Sequence, residues 1–208
     1  IAVQEDGSLG VFKLSADGTP EVIHSRFEGD FYAAQVLMGA DGDRAYIADP
    51  NWRENGGGMY GLWIHCDGHV SERGLLVESK LAYQLRPIPG SPDDAFIAAR
   101  DFGDAPTAFD GFRVGKEDME TVVAGGDAFG DEDGIFSSAA VTFDGRFGVI
   151  GDNNLFSGTG DRLGVVDLDG GGGVQVINDV EDPVAIAFNP WGGSGIVASG
   201  FGDAILEL

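Results

Sequence analysis

Residues 137–152 read SSAAVTFDGRFGVIGD, and this stretch decides the fold. Two apolar segments with small residues flank the pair Asp144-Gly145. Asp-Gly between apolar segments is the strongest short-range signal for a β-hairpin, because Gly supplies the positive φ of a tight turn without strain. The stretch is therefore predicted to form two antiparallel strands, which we call strands a and b.

The same pattern occurs four times along the chain. The other copies are AAQVLMGADGDRAYIAD from residue 33, LAYQLRPIPGSPDDAFIAAR from residue 81 and PVAIAFNPWGGSGIVASG from residue 183. A second hairpin pattern, strands c and d, follows three of the four. Its copies are YGLWIHCDGHVSERGLLV from residue 60, DGFRVGKEDMETVVAG from residue 110 and LGVVDLDGGGGVQVIND from residue 163. In these copies Gly61, Gly111 and Gly164 are expected just before strand c.

The repeat period predicts the architecture. Equivalent alanines at 33, 82, 139 and 185 are 49, 57 and 46 residues apart, close to the ~40–50 residues of one propeller blade. We predict an all-β fold, a β-propeller of four-stranded antiparallel blades. A β-sandwich would not explain the return of the same hairpins at a near-constant period.

Three blades are predicted to be complete and two partial. Residues 1–23 match strands b, c and d, and residues 202–208 match strand c. The predicted blades are 1–25 (partial), 31–78, 81–124, 137–178 and 183–208 (partial). The ring is then five-bladed with an unusual closure, part of a larger propeller, or completed by a second chain. We favour the larger propeller.

Composition excludes several functions. The chain of 208 residues has 35 Asp and Glu against 12 Lys and Arg, a formal net charge of −23. Such a chain repels phosphate, so nucleic acid is excluded as a partner. No apolar run approaches the ~18 residues that span a membrane, so membrane insertion is excluded too. Cys66 is the single cysteine and no intrachain disulfide is expected.

Three segments resemble the lactonase-like β-propeller repeat superfamily, which includes YVTN-type and NHL-type repeats. They are VTFDGRFGVIGD from residue 141, LGVVDLD from residue 163 and VAIAFNPWGGSGIVASG from residue 184. The resemblance implies that the b–c and d–a loops share one face, usually the binding face. It does not select an activity, because the superfamily mixes enzymes, scaffolds and adhesive surface proteins. We expect an extracytoplasmic location: secreted, periplasmic or cell-surface.

The predicted b–c loops are rich in oxygen ligands. Hard cations such as Ca²⁺ take six to eight oxygens from carboxylates, amides and carbonyls, and no other cofactor is indicated by a motif. The candidate metal ligands are Asp49, Asn51, Asp101, Asp152 and Asn154. The alternative is that Asp and Asn occur here because they hydrogen-bond their own backbone in turns.

Aromatic and cationic residues recur in the same loops. Rings among carboxylates suit a sugar, a cationic ligand or a protein partner; alternatively the rings fold inward and cover the channel end. The candidate ligand-binding residues are Trp52, Arg53, Arg100, Asp101, Phe102, Asn153, Phe156 and Phe201.

Two functions are consistent with this pattern. The first is a non-enzymatic binding or scaffold module that presents an acidic, aromatic-bearing loop face to a protein or carbohydrate. The alternative is a lactonase-like hydrolase whose divalent cation at the channel mouth polarises the ester carbonyl and activates water. In the hydrolase, Asp49, Asp101 or Asp152 would be a metal ligand or the general base.

Overall fold

The protein is built from strands throughout the part of the chain that its computed structural model describes. The described residues are 2–3, 9–27, 35–39, 41–49, 58–78, 81–102, 106–114, 119–123, 135–153, 162–169, 175–200 and 205–207. Within these ranges no helix is long and apolar enough to cross a membrane.

The strands form five sheets in chain order. The first sheet contains β1 (Ala2–Val3), β2 (Leu9–Leu14) and β3 (Pro20–Phe27). The second contains β4 (Gln35–Met38), β5 (Arg44–Asp49), β6 (Gly58–Ile64) and β7 (Val70–Glu78). The third contains β8 (Leu81–Ile88), β9 (Ser91–Phe102), β10 (Pro106–Val114) and β11 (Met119–Val123).

The last two sheets repeat this organisation. The fourth contains β12 (Ile135–Val141), β13 (Phe147–Asn153), β14 (Arg162–Asp167) and β15 (Gln175–Asn178). The fifth contains β16 (Pro183–Phe188), β17 (Gly195–Ser199) and β18 (Ile205–Glu207).

Each strand pairs antiparallel with the next one in its sheet. Strand direction therefore alternates, and the a–b and c–d turns lie at one end of each sheet, which we call the turn end. The b–c and d–a connections lie at the opposite end, which we call the loop end. The predicted fold class, a β-propeller of four-stranded antiparallel blades, is confirmed, and the number of blades in the ring stays a prediction.

The Asp-Gly prediction holds for four turns. Their glycines have positive φ: +84° at Gly18, +71° at Gly42, +82° at Gly68 and +73° at Gly145. Asp110-Gly111 forms no such turn and lies inside β10 beside a β-bulge. A bulge is another place where a glycine is tolerated within a strand.

The glycines predicted to precede strand c lie within it. Gly61 is in β6, Gly111 in β10 and Gly164 in β14. At Gly61 a Cβ would lie 2.9 Å from the Leu76 side chain and 3.1 Å from that of Arg73. The missing side chain thus makes room for side chains of the neighbouring strand β7.

The first strands of successive sheets, β4, β8, β12 and β16, are joined by hydrogen bonds and are the inner strands of the propeller. Leu85 N of β8 donates to Gln35 Oε1 of β4 at 2.7 Å, and Arg86 Nε donates to Ala139 O of β12 at 2.6 Å. Ser138 Oγ of β12 donates to Pro183 O of β16 at 2.9 Å. Successive sheets are thereby held side by side.

Apolar side chains pack between the fourth and fifth sheets. Buried Val149 and Leu163 of the fourth sheet contact buried Val197 of the fifth and Val180 of the connection between them. The opposite face of the fifth sheet is open, since Ile196 is 51% exposed and Ile205 is 73% exposed. A groove of about 490 Å³ runs along that open face, away from the loop end.

Candidate binding surface at the loop end

Asp49 is the predicted metal ligand that the structure describes most fully. It is the last residue of β5, pairs with Gly58 of β6, and is only 2% exposed. It has an interaction partner of its own within the fold. Asp49 therefore lies at the loop end as predicted, but as a buried residue.

Five other predicted site residues lie in strands, not in connecting loops. Arg100, Asp101 and Phe102 end β9, because the hairpin continues to the pair Phe102–Pro106. Asp152 and Asn153 end β13, because Asp152 still pairs with Arg162 of β14. Backbone pairing thus continues through polar residues.

The remaining predicted site residues fall outside the described ranges. They are Asn51, Trp52, Arg53, Asn154, Phe156 and Phe201. In the described part of the chain, no three His, Cys, Asp or Glu side chains come together as metal ligands.

Three carboxylates at the turn end accept hydrogen bonds from residues of their own turns. Asp17 accepts hydrogen bonds from the Ser15 hydroxyl and from Thr19 N, the latter at 2.9 Å. These donors stabilise the carboxylate and lower the pKa of Asp17 to about 2.

Asp67 and Asp144 repeat that arrangement. Asp67 accepts from His69 N at 2.9 Å, and this bond lowers the pKa of Asp67. Asp144 accepts from the Thr142 hydroxyl at 2.6 Å and from Arg146 N at 3.1 Å, and both lower its pKa. These three aspartates therefore stabilise the hairpin turns in which they lie.

Arg86 joins three inner strands. Its guanidinium donates from Nη1 to Gln35 Oε1 at 3.1 Å, from Nη2 to Gln84 Oε1 at 2.7 Å and from Nε to Ala139 O at 2.6 Å. Burial lowers the pKa of Arg86, but an arginine still carries its charge at neutral pH. Three donor nitrogens of the side chain are therefore committed to holding blades together.

Asp182 is the most unusual carboxylate at the loop end. It directly precedes β16, has φ +42°, and accepts a hydrogen bond at its main-chain oxygen from Gly200 N at 2.9 Å. The residue is 4% exposed, and its buried Oδ1 has no hydrogen-bond partner in the described part of the chain. Burying a carboxylate oxygen without a donor costs free energy.

Sequence reasoning did not single out Arg86, and it grouped Asp182 only with the other carboxylates of the d–a connections. Arg86 could have been noticed as a scarce cation inside an apolar strand of a −23 chain. Asp182 has no such signal, because nothing local distinguishes it from the other carboxylates in these connections.

Comparisons with known proteins support the fold, but they do not assign the chain to a family. No family model matches the chain, and no curated protein matches its sequence. Solved structures do match. The periplasmic gluconolactonase of Pseudomonas aeruginosa is 15% identical with a TM-score of 0.67, over 99% of this chain and 60% of that one. The fold resembles that of lactonase-like propellers.

Solved structures of proteins with other names show comparable fold similarity. Hydrazine synthase from Kuenenia stuttgartiensis is 11% identical with a TM-score of 0.70, over 96% of this chain and 64% of that one. The β-propeller domain of Swd1 from Myceliophteria thermophila is 12% identical with a TM-score of 0.59, over 85% of this chain and 53% of that one. The chain thus spans less than two thirds of these structures, and identities this low carry the fold alone.

Proposed function

We propose that this chain is part of a non-enzymatic propeller that presents its acidic loop end to a protein or carbohydrate partner outside the cytoplasm. The observation that carries the proposal is the Arg86 network, in which polar groups of β4 and β8 are used to tie inner strands together. Inner strands tied in this way form a rigid support for the loop end.

The division of the acidic residues adds support. Asp17, Asp67 and Asp144 are engaged in their own turns at the turn end. Asp101 and Asp152 end strands at the loop end. A rigid surface of this charge favours cationic groups, and preorganisation lowers the entropy cost of binding.

The alternative is a lactonase-like hydrolase with a divalent cation at the channel mouth. The fold similarity to a periplasmic gluconolactonase is the observation that favours this second candidate. The name of that protein is also consistent with the extracytoplasmic location that we propose.

The two functions can be separated with one preparation. The chain is applied to an oligosaccharide array and to a basic-peptide array. It is also assayed for glucono-δ-lactone hydrolysis with about 5 mM Ca²⁺, above the ~0.1–1 mM affinity range of extracellular calcium modules. We expect saturable binding on one array and hydrolysis no faster than in buffer. Hydrolysis that Asp152→Asn abolishes, without binding on either array, would overturn the proposal in favour of the hydrolase.

A further inference from the structure

We propose that Asp182 is a ligand of a hard divalent cation of the Ca²⁺ class, at the loop end of β13 and β16. The site goes beyond the proposed function, because binding of a cation by Asp182 does not depend on whether the loop end binds a partner. Its basis is the buried Asp182 carboxylate, 4% exposed, whose Oδ1 has no hydrogen-bond partner among the residues that the structure describes.

The surrounding backbone is shaped around this carboxylate. A Cβ at Gly200 would collide with Asp182 Oδ2 and would lie 2.7 Å from Val184 Cγ1. Glycine at position 200 therefore leaves the space that the carboxylate occupies. Within the described ranges no donor reaches Oδ1 of this buried carboxylate, and a cation would compensate its negative charge.

Further oxygen ligands are close in the topology. A Cβ at Gly151 would lie 2.6 Å from Pro183 O, so the backbone of β13 touches the start of β16 directly after Asp182. Asp152 and Asn153 follow Gly151 in β13. Ca²⁺ accepts main-chain carbonyl oxygens as well as carboxylates, so one buried carboxylate can anchor a site that main-chain carbonyls of these strands complete.

The test uses the whole chain stripped of metal with EGTA, and Ca²⁺ alone as the probe. Asp182→Asn removes the charge while keeping size and backbone preference, because Asn also tolerates left-handed φ. Glu181→Gln is the matched control, since it removes an exposed carboxylate one residue away. Melting temperature and calcium content after equilibrium dialysis are measured for all three proteins.

We expect Ca²⁺ at about 100 times its Kd to raise the Tm of wild type and Glu181→Gln by roughly 5–10 °C, through binding to the native state. Asp182→Asn should melt at or above wild type without Ca²⁺ and should gain nothing with it. An equal gain in Asp182→Asn, or no gain in wild type, overturns the proposal. If Asp182→Asn fails to fold, dialysis of wild type decides: about one Ca²⁺ per chain supports the site, and none overturns it.

Discussion

Arg86 is the residue that connects most of the inner strands. Its partners Gln35 and Ala139 are about 50 positions away on either side in the sequence. A flat guanidinium with donors in a fixed fork can serve several acceptors at once, which a lysine ammonium cannot do with the same geometry.

Replacing Arg86 should therefore cost stability. We expect Arg86→Met to lower the free energy of unfolding by about 2 kcal/mol or more, because half-buried acceptors lose their donors. Urea denaturation measures this change. Arg146→Met is the control, since Arg146 is 56% exposed and lies 3.8 Å from Asp167 in a weak surface pair that is worth about 0–1 kcal/mol. Equal losses in the two variants would contradict the structural role of Arg86.

Two glycines with the same backbone conformation differ in their surroundings. Gly42 and Gly145 have φ +71° and +73°. A Cβ at Gly42 meets nothing within 4 Å, whereas a Cβ at Gly145 would overlap the carbonyl of Pro89 and lie 3.1 Å from Ile88. Gly145 thus allows the turn of the fourth sheet to touch the turn of the third.

Alanine substitutions at these two glycines distinguish the cost of backbone strain from the cost of disturbing the contact between blades. Gly42→Ala should cost about 1 kcal/mol, the strain of a left-handed alanine. Gly145→Ala should cost clearly more, because the new methyl also pushes two sheets apart. Thermal or urea unfolding of both variants gives the difference directly, and a difference near zero would show that the two turns do not press on each other.

Among the elements, the hairpin turns were the easiest to predict and the strand ends the hardest. Turns such as Asp144-Gly145 depend on residues within four positions, so their chemistry is visible in the sequence. Strand ends such as Arg100–Phe102 depend on backbone pairing with a partner strand, which polar side chains do not prevent. The loops were therefore predicted to begin too early.

The turn carboxylates make hairpin stability depend on pH. Their folded pKa values lie below the ordinary value, about 2 for Asp17, and lowered for Asp67 and Asp144. The stabilisation is thus complete above the unfolded pKa of about 4, and it is lost as pH falls through the folded values.

Replacing all three turn carboxylates removes that dependence. We expect the triple variant Asp17→Asn, Asp67→Asn, Asp144→Asn to melt below wild type at pH 6, with the gap closing as pH falls toward 2. A control with Glu21→Gln, Glu72→Gln and Glu207→Gln removes three exposed charges from strands. A gap that stays constant for the turn variant from pH 6 to 2 would contradict the role of these hydrogen bonds.

At the scale of the whole molecule, the period of the repeat was sufficient to predict the architecture. Blades recur because each hairpin pattern recurs, and the fourth sheet buries one face against the fifth, as Val149 and Val197 show. The candidate site was predicted only as a region. Burial of Asp182 and the links made by Arg86 arise from contacts between distant segments, which no local pattern encodes.

On this scale the acidic residues fall into two groups at opposite ends of the sheets. Carboxylates such as Asp67 and Asp144 belong to turns at one end, whereas Asp101 and Asp152 end strands at the other. If the loop end is the binding surface, equal changes of charge at the two ends should have unequal effects.

The most direct measurement compares binding of a deca-lysine probe peptide by two double variants at low salt. We predict that Asp101→Asn with Asp152→Asn weakens Kd about tenfold, or about 1.4 kcal/mol. Asp67→Asn with Asp144→Asn, which removes the same charge from the turn end, should change Kd less than about twofold. Equal weakening by both variants would mean that the probe responds only to net charge, and would contradict a binding surface at the loop end.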